Sequence, residues 1–364
     1  MPVTDETLAP AETPEDLTPD WLTSALQHDG VISPSARVTG VEATTIGTGQ
    51  LGSVVRCTLT HLGSEGPPSV IVKLPSTDEG SRQLGAAVGV YESEVRFFRE
   101  IASTVDIRVP DMYFAALESG SGRFTLVLED LGGFATVGDM IAGATPEQAE
   151  LALAEFAGLQ APRWNDPELT RLPWLADTTR TRMLFAMVAP AVKNFVERFG
   201  ERLNPRHVDL VRRLAPLAAQ VPDLVWRPPF VVCHGDYRLD NMMFGNTEDA
   251  PPITVIDWQV VRLGPPLLDA ATFLASCVEP EWRRANEHRL LDGYHRRLLD
   301  SGVSSYSSDD VRECYRRCSL YPLLLAVAMS VTLQRTDRGD MMWARLVSGA
   351  AELVTDTGAT EVLG

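Results

Sequence analysis

The hydrophobic period of this chain changes once, near Thr136, and that change limits the possible folds more than any other feature. Before it, "VTGVEATTI", "SVVRCTLTHL" and "SVIVKLP" (between Val38 and Pro75) are short, β-branched and partly alternating runs separated by Gly and Pro, which predicts an antiparallel sheet. "VGVYESEVRFFREIAS" (Val88 to Ser103) places Val95, Phe98 and Ile101 at helical spacing, so a helix is expected to pack on that sheet. "MYFAALES" and "RFTLVLEDL" flank the turn "GSG" at Gly120 to Gly122, a strand-turn-strand signal. After Thr136 the segments are rich in Ala, Leu and Arg and helical in period, broken only by "PFVVCHGD", "NMMFG" and "ITVIDWQ". "TPDWLTSALQHDG" (Thr18 to Gly30) reads as a further helix, with Thr18 ahead of Pro19 in its first turn and Gly30 past its end. The expectation is an α+β fold: a flexible acidic arm over 1–17, a sheet-based lobe over 18–131 and a larger, mostly helical lobe over 132–364. A chain of 364 residues is long enough to give each lobe its own core.

Composition narrows the function. A formal charge of −17 argues against nucleic acid as a partner, because binding a phosphate backbone needs a basic footprint. The N-terminal stretch is acidic and lacks a basic region followed by an apolar one, and no apolar run reaches membrane-spanning length. The expected setting is the cytoplasm, with no membrane partner. The five cysteines are scattered; Cys314 and Cys318 share a helix face, but two ligands do not make a zinc site, so buried thiols are expected. Only two residues are lysine, Lys73 and Lys193, in a chain that otherwise uses arginine.

Several motifs carry chemistry. "GTGQLGSV" (Gly47 to Val54) fits G-x-G-x-x-G-x-V, with Gly47, Gly49 and Gly52 letting backbone amides approach phosphates. The chain continues from it as a strand rather than opening a helix, which suits a lid over nucleotide phosphates better than a dinucleotide fingerprint; an ordinary glycine-rich hairpin is the plain alternative. "VIVK" puts Lys73 at the end of an apolar strand, where a buried ammonium needs anionic partners; a surface lysine is the plain alternative. Those partners would be nucleotide phosphates and a helix glutamate, for which Glu94 is favoured over Glu92 and Glu100. "HGDYRLDN" (His234 to Asn241) spaces Asp236 and Asn241 as in H-x-D-x-x-x-x-N, and Asp257 follows in "VIDWQ". Phosphoryl transfer needs a carboxylate facing the attacking hydroxyl and hard oxygen ligands for Mg²⁺, so Asp236 is the expected base and Asn241 and Asp257 the expected metal ligands. His234 and Asp269 are expected to brace the loop and Asp240 to be solvated.

The order of these motifs, from about Val38 to Val347, resembles the aminoglycoside phosphotransferase and choline kinase-like superfamily, and the wording "EVRFFREI", "RFTLVLEDL" and "DWQVVRLGPPLLD" looks most like its ecdysteroid kinase-like bacterial branch. The resemblance implies a bilobal protein-kinase-like fold, with a small antiparallel N-lobe carrying one helix and a helical C-lobe. It implies ATP (or GTP), Mg²⁺, an adenine hinge near Leu128 to Leu131 that includes Glu129 and Leu131, and a small-molecule hydroxyl as acceptor. Gly235 stands where protein kinases carry arginine, and no A-P-E segment follows "DWQ", so no phosphorylated activation loop is expected. The family name suggests an aminoglycoside acceptor; the distribution of charge points elsewhere. Carboxylates number 20 against 8 basic residues over 1–139, but 10 against 11 over both 140–233 and 270–345, the stretches expected to wall the acceptor pocket. A polycation would want carboxylates there, so the expected acceptor is neutral or weakly charged, such as a sterol-like, macrolide-like or other secondary metabolite. Aminoglycoside O-phosphorylation and a catalytically idle nucleotide-binding module are the alternatives.

Overall fold

Short β-branched runs can satisfy their backbone only by pairing, and in the computed structural model, which describes residues 8–47, 51–63, 66–118, 120–333 and 335–363, they form one five-stranded sheet. The chain divides into two compact units.

The first unit comprises residues 1–103, 109–135 and 257–259. Its elements are α1 (Pro19–His28), β1 (Arg37–Ile46), β2 (Gly52–Leu62), β3 (Ser69–Pro75), α2 (Glu79–Ala87), α3 (Val90–Arg96), β4 (Met112–Glu118) and β5 (Arg123–Glu129). The antiparallel strands run β1-β2-β3-β5-β4. Strand alternation sends Val70, Val72 and Leu74 of β3 into a core shared with Leu22, Ala25 and Leu26 of α1, and it turns Lys73 to the opposite face. Thr18 caps α1, its side chain accepting the Trp21 N–H.

Two expectations change here. The helix foreseen over Val88 to Ser103 is α-helical only to Arg96 and continues as a π-helical turn, Phe97–Ile101, while the separate helix α2 precedes it. Residues 8–17, foreseen as part of a flexible arm, lie on the unit instead. Ala11 and Leu17 are buried with the sheet core, Thr125 Oγ1 donates to Ala11 O at 2.8 Å and Trp21 Nε1 to Ala9 O at 3.1 Å. Isolated apolar side chains inside an acidic stretch leave no periodic signal, yet their burial, with these hydrogen bonds, anchors it.

The second unit comprises residues 104–108, 136–256 and 260–364. The chain enters it through β6 (Ala135–Val137) and continues as α4 (Pro146–Gln160), α5 (Pro173–Ala176), α6 (Thr179–Ala186), α7 (Val188–Phe199), α8 (Pro205–Leu214) and α9 (Val221–Val225). Four short strands follow, β7 (Val231–Cys233), β8 (Met242–Gly245), β9 (Ile253–Val255) and β10 (Arg262–Gly264), then α10 (Leu268–Ser276), α11 (Pro280–Asp300), α12 (Ser308–Cys318), α13 (Leu320–Thr332) and α14 (Asp337–Asp356). The apolar helices α10 and α13 are buried along most of their length, as a helix hydrophobic on every side must be. Strand β10 pairs antiparallel with β7, Arg262 opposite Cys233, and β8 pairs with β9, Met242 opposite Val255. These two pairings fix both ends of the segment His234–Asn241. All five cysteines are buried free thiols. Among the described residues no helix is long and apolar enough to cross a membrane.

Candidate active site

In the first unit, Lys73 is 8% exposed and its ammonium lies 2.5 Å from Glu94 Oε1 and 2.8 Å from Asp257 Oδ1. Burial works against the ammonium, but the Asp257 and Glu94 carboxylates outweigh it and hold its pKa above that of a free lysine. Two of its three donors are thereby engaged. Glu94 is fully buried; burial raises its pKa even though the Lys73 charge pulls it down. Glu94 Oε1 also accepts the Trp258 N–H at 3.2 Å, while the buried Oε2 has no hydrogen-bond partner among the described residues. The π-helical turn lets Phe97 stack on the Trp258 ring at 3.8 Å while Glu94, three residues earlier, faces Lys73. Asp257 itself sits at φ 67°, a left-handed conformation that non-glycine residues adopt only under constraint. Lys73 and Glu94, paired from the sequence, and Asp257, proposed separately as a metal ligand, are thus one ionic cluster.

The glycine motif is placed in part. Gly47 takes φ 76°, and Gly52 opens β2 where a Cβ would lie 3.1 Å from Leu74 O; Gly49 lies outside the described residues. Tyr91 of α3 donates its hydroxyl to Leu51 O and stacks on Phe124 at 4.5 Å, tying the end of the glycine-rich stretch to α3. At the end of β5, the Glu129 N–H donates to Asp111 O and Glu129 Oε2 accepts the Asp111 N–H at 3.2 Å, while Leu131 is buried. Between them Asp130 accepts Arg56 through two hydrogen bonds, the Ser69 hydroxyl and the Gly132 N–H; these outweigh burial and hold its pKa below the usual carboxylate range. Sequence reading did not single out Asp130, because its partner Arg56 is 74 residues away.

In the second unit, the loop between β7 and β8 carries His234, Asp236 and Asn241. The His234 ring bridges the loop: Nδ1 accepts the Asp236 N–H at 3.2 Å, which makes Nε2 the donor to Ile256 O at 2.9 Å. Asp269, 1% exposed near the start of α10, accepts the backbone N–H of His234 at 2.6 Å and of Gly235 at 3.0 Å. Burial raises the Asp269 pKa against these bonds. Gly235 takes φ 85°, and a Cβ there would lie 2.3 Å from Val260 O, so no other residue fits. The side-chain amide of Asn241 donates to Asp236 O at 2.8 Å and to Asp236 Oδ2 at 2.9 Å, which commits Nδ2 and turns Oδ1 the other way. Ile256 N–H donates to Asn241 O, so the residue before Asp257 is bound to the loop.

The sequence reading missed Arg238, whose Nε sits 3.0 Å from both Asp236 oxygens. An arginine two residues from the aspartate was in plain view, but only the turn geometry decides that it folds back. Asp240, expected to be solvated, accepts the Met140 N–H and pairs with Arg238 and Arg338, joining the loop to α14. Among the described residues no group of three or more His, Cys, Asp or Glu is arranged to hold a metal by itself.

The family profile described as the phosphotransferase enzyme family (APH) matches residues 42–300, and the chain belongs to that family. It is a small-molecule phosphotransferase acting on hydroxyl groups. A comparison with curated proteins finds no significant match. Among solved structures, APH(2")-IIia in complex with GDP and kanamycin is similar over 93% of this chain and 98% of that one, at 14% identity and a TM-score of 0.52. Choline kinase from Cryptosporidium parvum Iowa II is similar over 88% and 89%, at 10% identity and a TM-score of 0.50. At such identities the likeness establishes the fold, which is the protein-kinase-like one.

Proposed function

We propose that the chain is an ATP- (or GTP-) and Mg²⁺-dependent kinase that phosphorylates a hydroxyl of a neutral or weakly charged small molecule, such as a sterol-like, macrolide-like or other secondary-metabolite scaffold. The observation that carries this reading is the Asp236 loop, in which a half-exposed carboxylate is held by Arg238 and Asn241, and the backbone N–H of the same residue by His234 Nδ1, rather than left mobile in solvent. In the reaction the acceptor oxygen attacks the γ-phosphorus, the bond from that phosphorus to the departing nucleoside diphosphate breaks, and Asp236 takes the hydroxyl proton. Lys73 would hold the nucleotide phosphates and Glu94 would hold Lys73, while Gly47, Gly49 and Gly52 would let backbone amides approach them. Glu129 and Leu131 flank the backbone proposed to meet the adenine, braced by Asp130.

The donor set fits magnesium: Asp257 offers a carboxylate, and Asn241, with its nitrogen committed to Asp236, offers an amide oxygen, both hard ligands. When bound, the ion would neutralise charge developing on the phosphates.

Nucleoside-diphosphate release from ATP and GTP, measured with Mg²⁺ against a pooled set of hydroxylated metabolites, tests the reading. Turnover of neutral or weakly charged alcohols that is lost in Asp236→Asn is expected. Kanamycin-type polycations turning over with micromolar KM while neutral alcohols stay inert would overturn the acceptor class, and no turnover of any alcohol would overturn the kinase.

A further inference from the structure

We propose that α14 positions the base: through Met342 and Arg338 it holds Arg238 across the Asp236 carboxylate, which leaves Oδ1 as the oxygen that takes the hydroxyl proton. This rests on the kinase reading above and supplies its positioning residues and the reacting oxygen. Every residue involved belongs to the second unit. The Arg238 Nε–H is shared between Asp236 Oδ1 and Oδ2 at 3.0 Å each, and Asn241 Nδ2 adds a second donor on Oδ2 at 2.9 Å. Among the described residues Oδ1 therefore meets one shared donor and Oδ2 meets two. A carboxylate oxygen can accept twice, so the open position lies on Oδ1. As the acceptor oxygen bonds the γ-phosphorus and the nucleoside diphosphate departs, the hydroxyl proton passes to that atom.

A long side chain left to itself samples many rotamers, so something must fix this pose. Arg238 Nη1 donates to Met342 Sδ at 3.0 Å and lies 3.5 Å from Asp240 Oδ2. A thioether is a weak, neutral acceptor, which orients the guanidinium without drawing its charge away from Asp236. Asp240 is the competing carboxylate, and it is taken up by the Met140 N–H at 3.1 Å and by Arg338 Nη2 at 2.9 Å. The same Arg338 nitrogen reaches Asp139 Oδ1 at 3.0 Å. Arg338 and Met342 stand four residues apart on α14 and share one face; Arg345 continues it, its Nε donating to Ser276 O at 3.0 Å. The helix itself is tied down near its start, where fully buried Asp340 accepts Arg198 Nε of α7 at 2.9 Å. Further along, a Cβ on Gly349 would collide with Ala275 O of α10, so the two helices are in close contact there. A helix clamped in this way presents Met342 and Arg338 to the loop as a fixed template.

Kinetics with ATP, Mg²⁺ and the pooled hydroxylated metabolites at fixed concentration test it. Arg238→Met should lower the apparent kcat about 10-fold or more and leave KM for ATP within about twofold. Arg238→Lys should recover part of the loss, Met342→Leu and Arg338→Gln should each lower kcat about threefold, and the surface control Lys193→Gln should change nothing. Because Met342 acts through Arg238, the double variant Arg238→Met/Met342→Leu should be no slower than Arg238→Met alone. An unchanged kcat in Arg238→Met, a loss that appears in KM for ATP instead, or additive effects in the double variant overturns the proposal. The nitrogen–proton correlation spectrum of the arginine Nε groups gives a readout without turnover, with the Arg238 signal identified by its absence in Arg238→Lys. That Nε–H should exchange with solvent about 10-fold more slowly than the one on exposed Arg171, and faster in Met342→Leu, Arg338→Gln and Asp236→Asn than in the wild type. Exchange as fast as at Arg171, or exchange that those variants leave alone, overturns it. If no alcohol is phosphorylated, the kinase reading fails while the exchange rates still decide whether α14 holds Arg238 on Asp236.

Discussion

Replacing Lys73 with methionine keeps the length and apolar stem of the side chain and removes only the ammonium. Glu94, fully buried, and Asp257 would then face each other without the cation that lies 2.5 and 2.8 Å from them. Breaking a buried ionic cluster by removing one partner costs about 3–5 kcal/mol, because an uncompensated charge stays behind. At roughly 3 °C per kcal/mol for a unit of this size, Lys73→Met should melt about 10 °C below the wild type at pH 8. The deficit has a definite pH dependence. Burial already raises the Glu94 pKa above its ordinary value of 4.5, and Lys73 is the main influence pulling it down, so its removal raises the pKa further. A carboxyl whose folded pKa is raised favours the fold when protonated, so the deficit is full at high pH, shrinks as pH falls through the folded pKa and is least below 4.5. The double variant Lys73→Met/Glu94→Gln removes the stranded charge and should recover most of the stability but none of the activity, since the proposed phosphate anchor is still missing. Thermal melts at pH 6 and 8, with nucleotide turnover in parallel, read both effects. A single variant that melts like the wild type at pH 8, or a double variant no more stable than the single one, would refute the account of the cluster.

Other substitutions separate chemistry from scaffold. Asp236→Asn and Asp257→Asn should each lower kcat about a hundredfold or more while the fold survives, and near-normal turnover in either folded variant would sink the assigned roles. Gly235→Ala forces a Cβ to within 2.3 Å of Val260 O at a positive φ, so thermal denaturation should show a loss of about 2 kcal/mol or more; an unchanged melt would mean that the loop is not held as described. Tyr91→Phe removes the hydroxyl that holds Leu51 O and should raise the nucleotide KM several-fold with little change in kcat, an effect that steady-state kinetics at varied ATP can exclude.

Local geometry explains what could be read from the chain alone. Strand alternation and helical spacing depend on residues two to four apart, so the change of period near Thr136 announced a sheet-based unit and a helical one. Asp236 and Asn241, five residues apart on one loop, could be paired because so short a segment has few ways to fold. Lys73 stood out because an ammonium at the end of an apolar strand must find anions. Other pairings depend on what the sheet and helices bring together from afar. Asp257 reaches Lys73 across 184 residues, and no spacing rule chooses it over another carboxylate. Arg238 chooses Asp236, Asp240 chooses Arg238 and Arg338, and Ala11 and Leu17 enter the core of the first unit, each because burial makes an unpaired charge costly and an apolar contact favourable. Arg262 belongs with them. It opens a three-residue strand directly after Val261, and only the register of β10 on β7, together with the space left by Gly235, sets its guanidinium beside the loop.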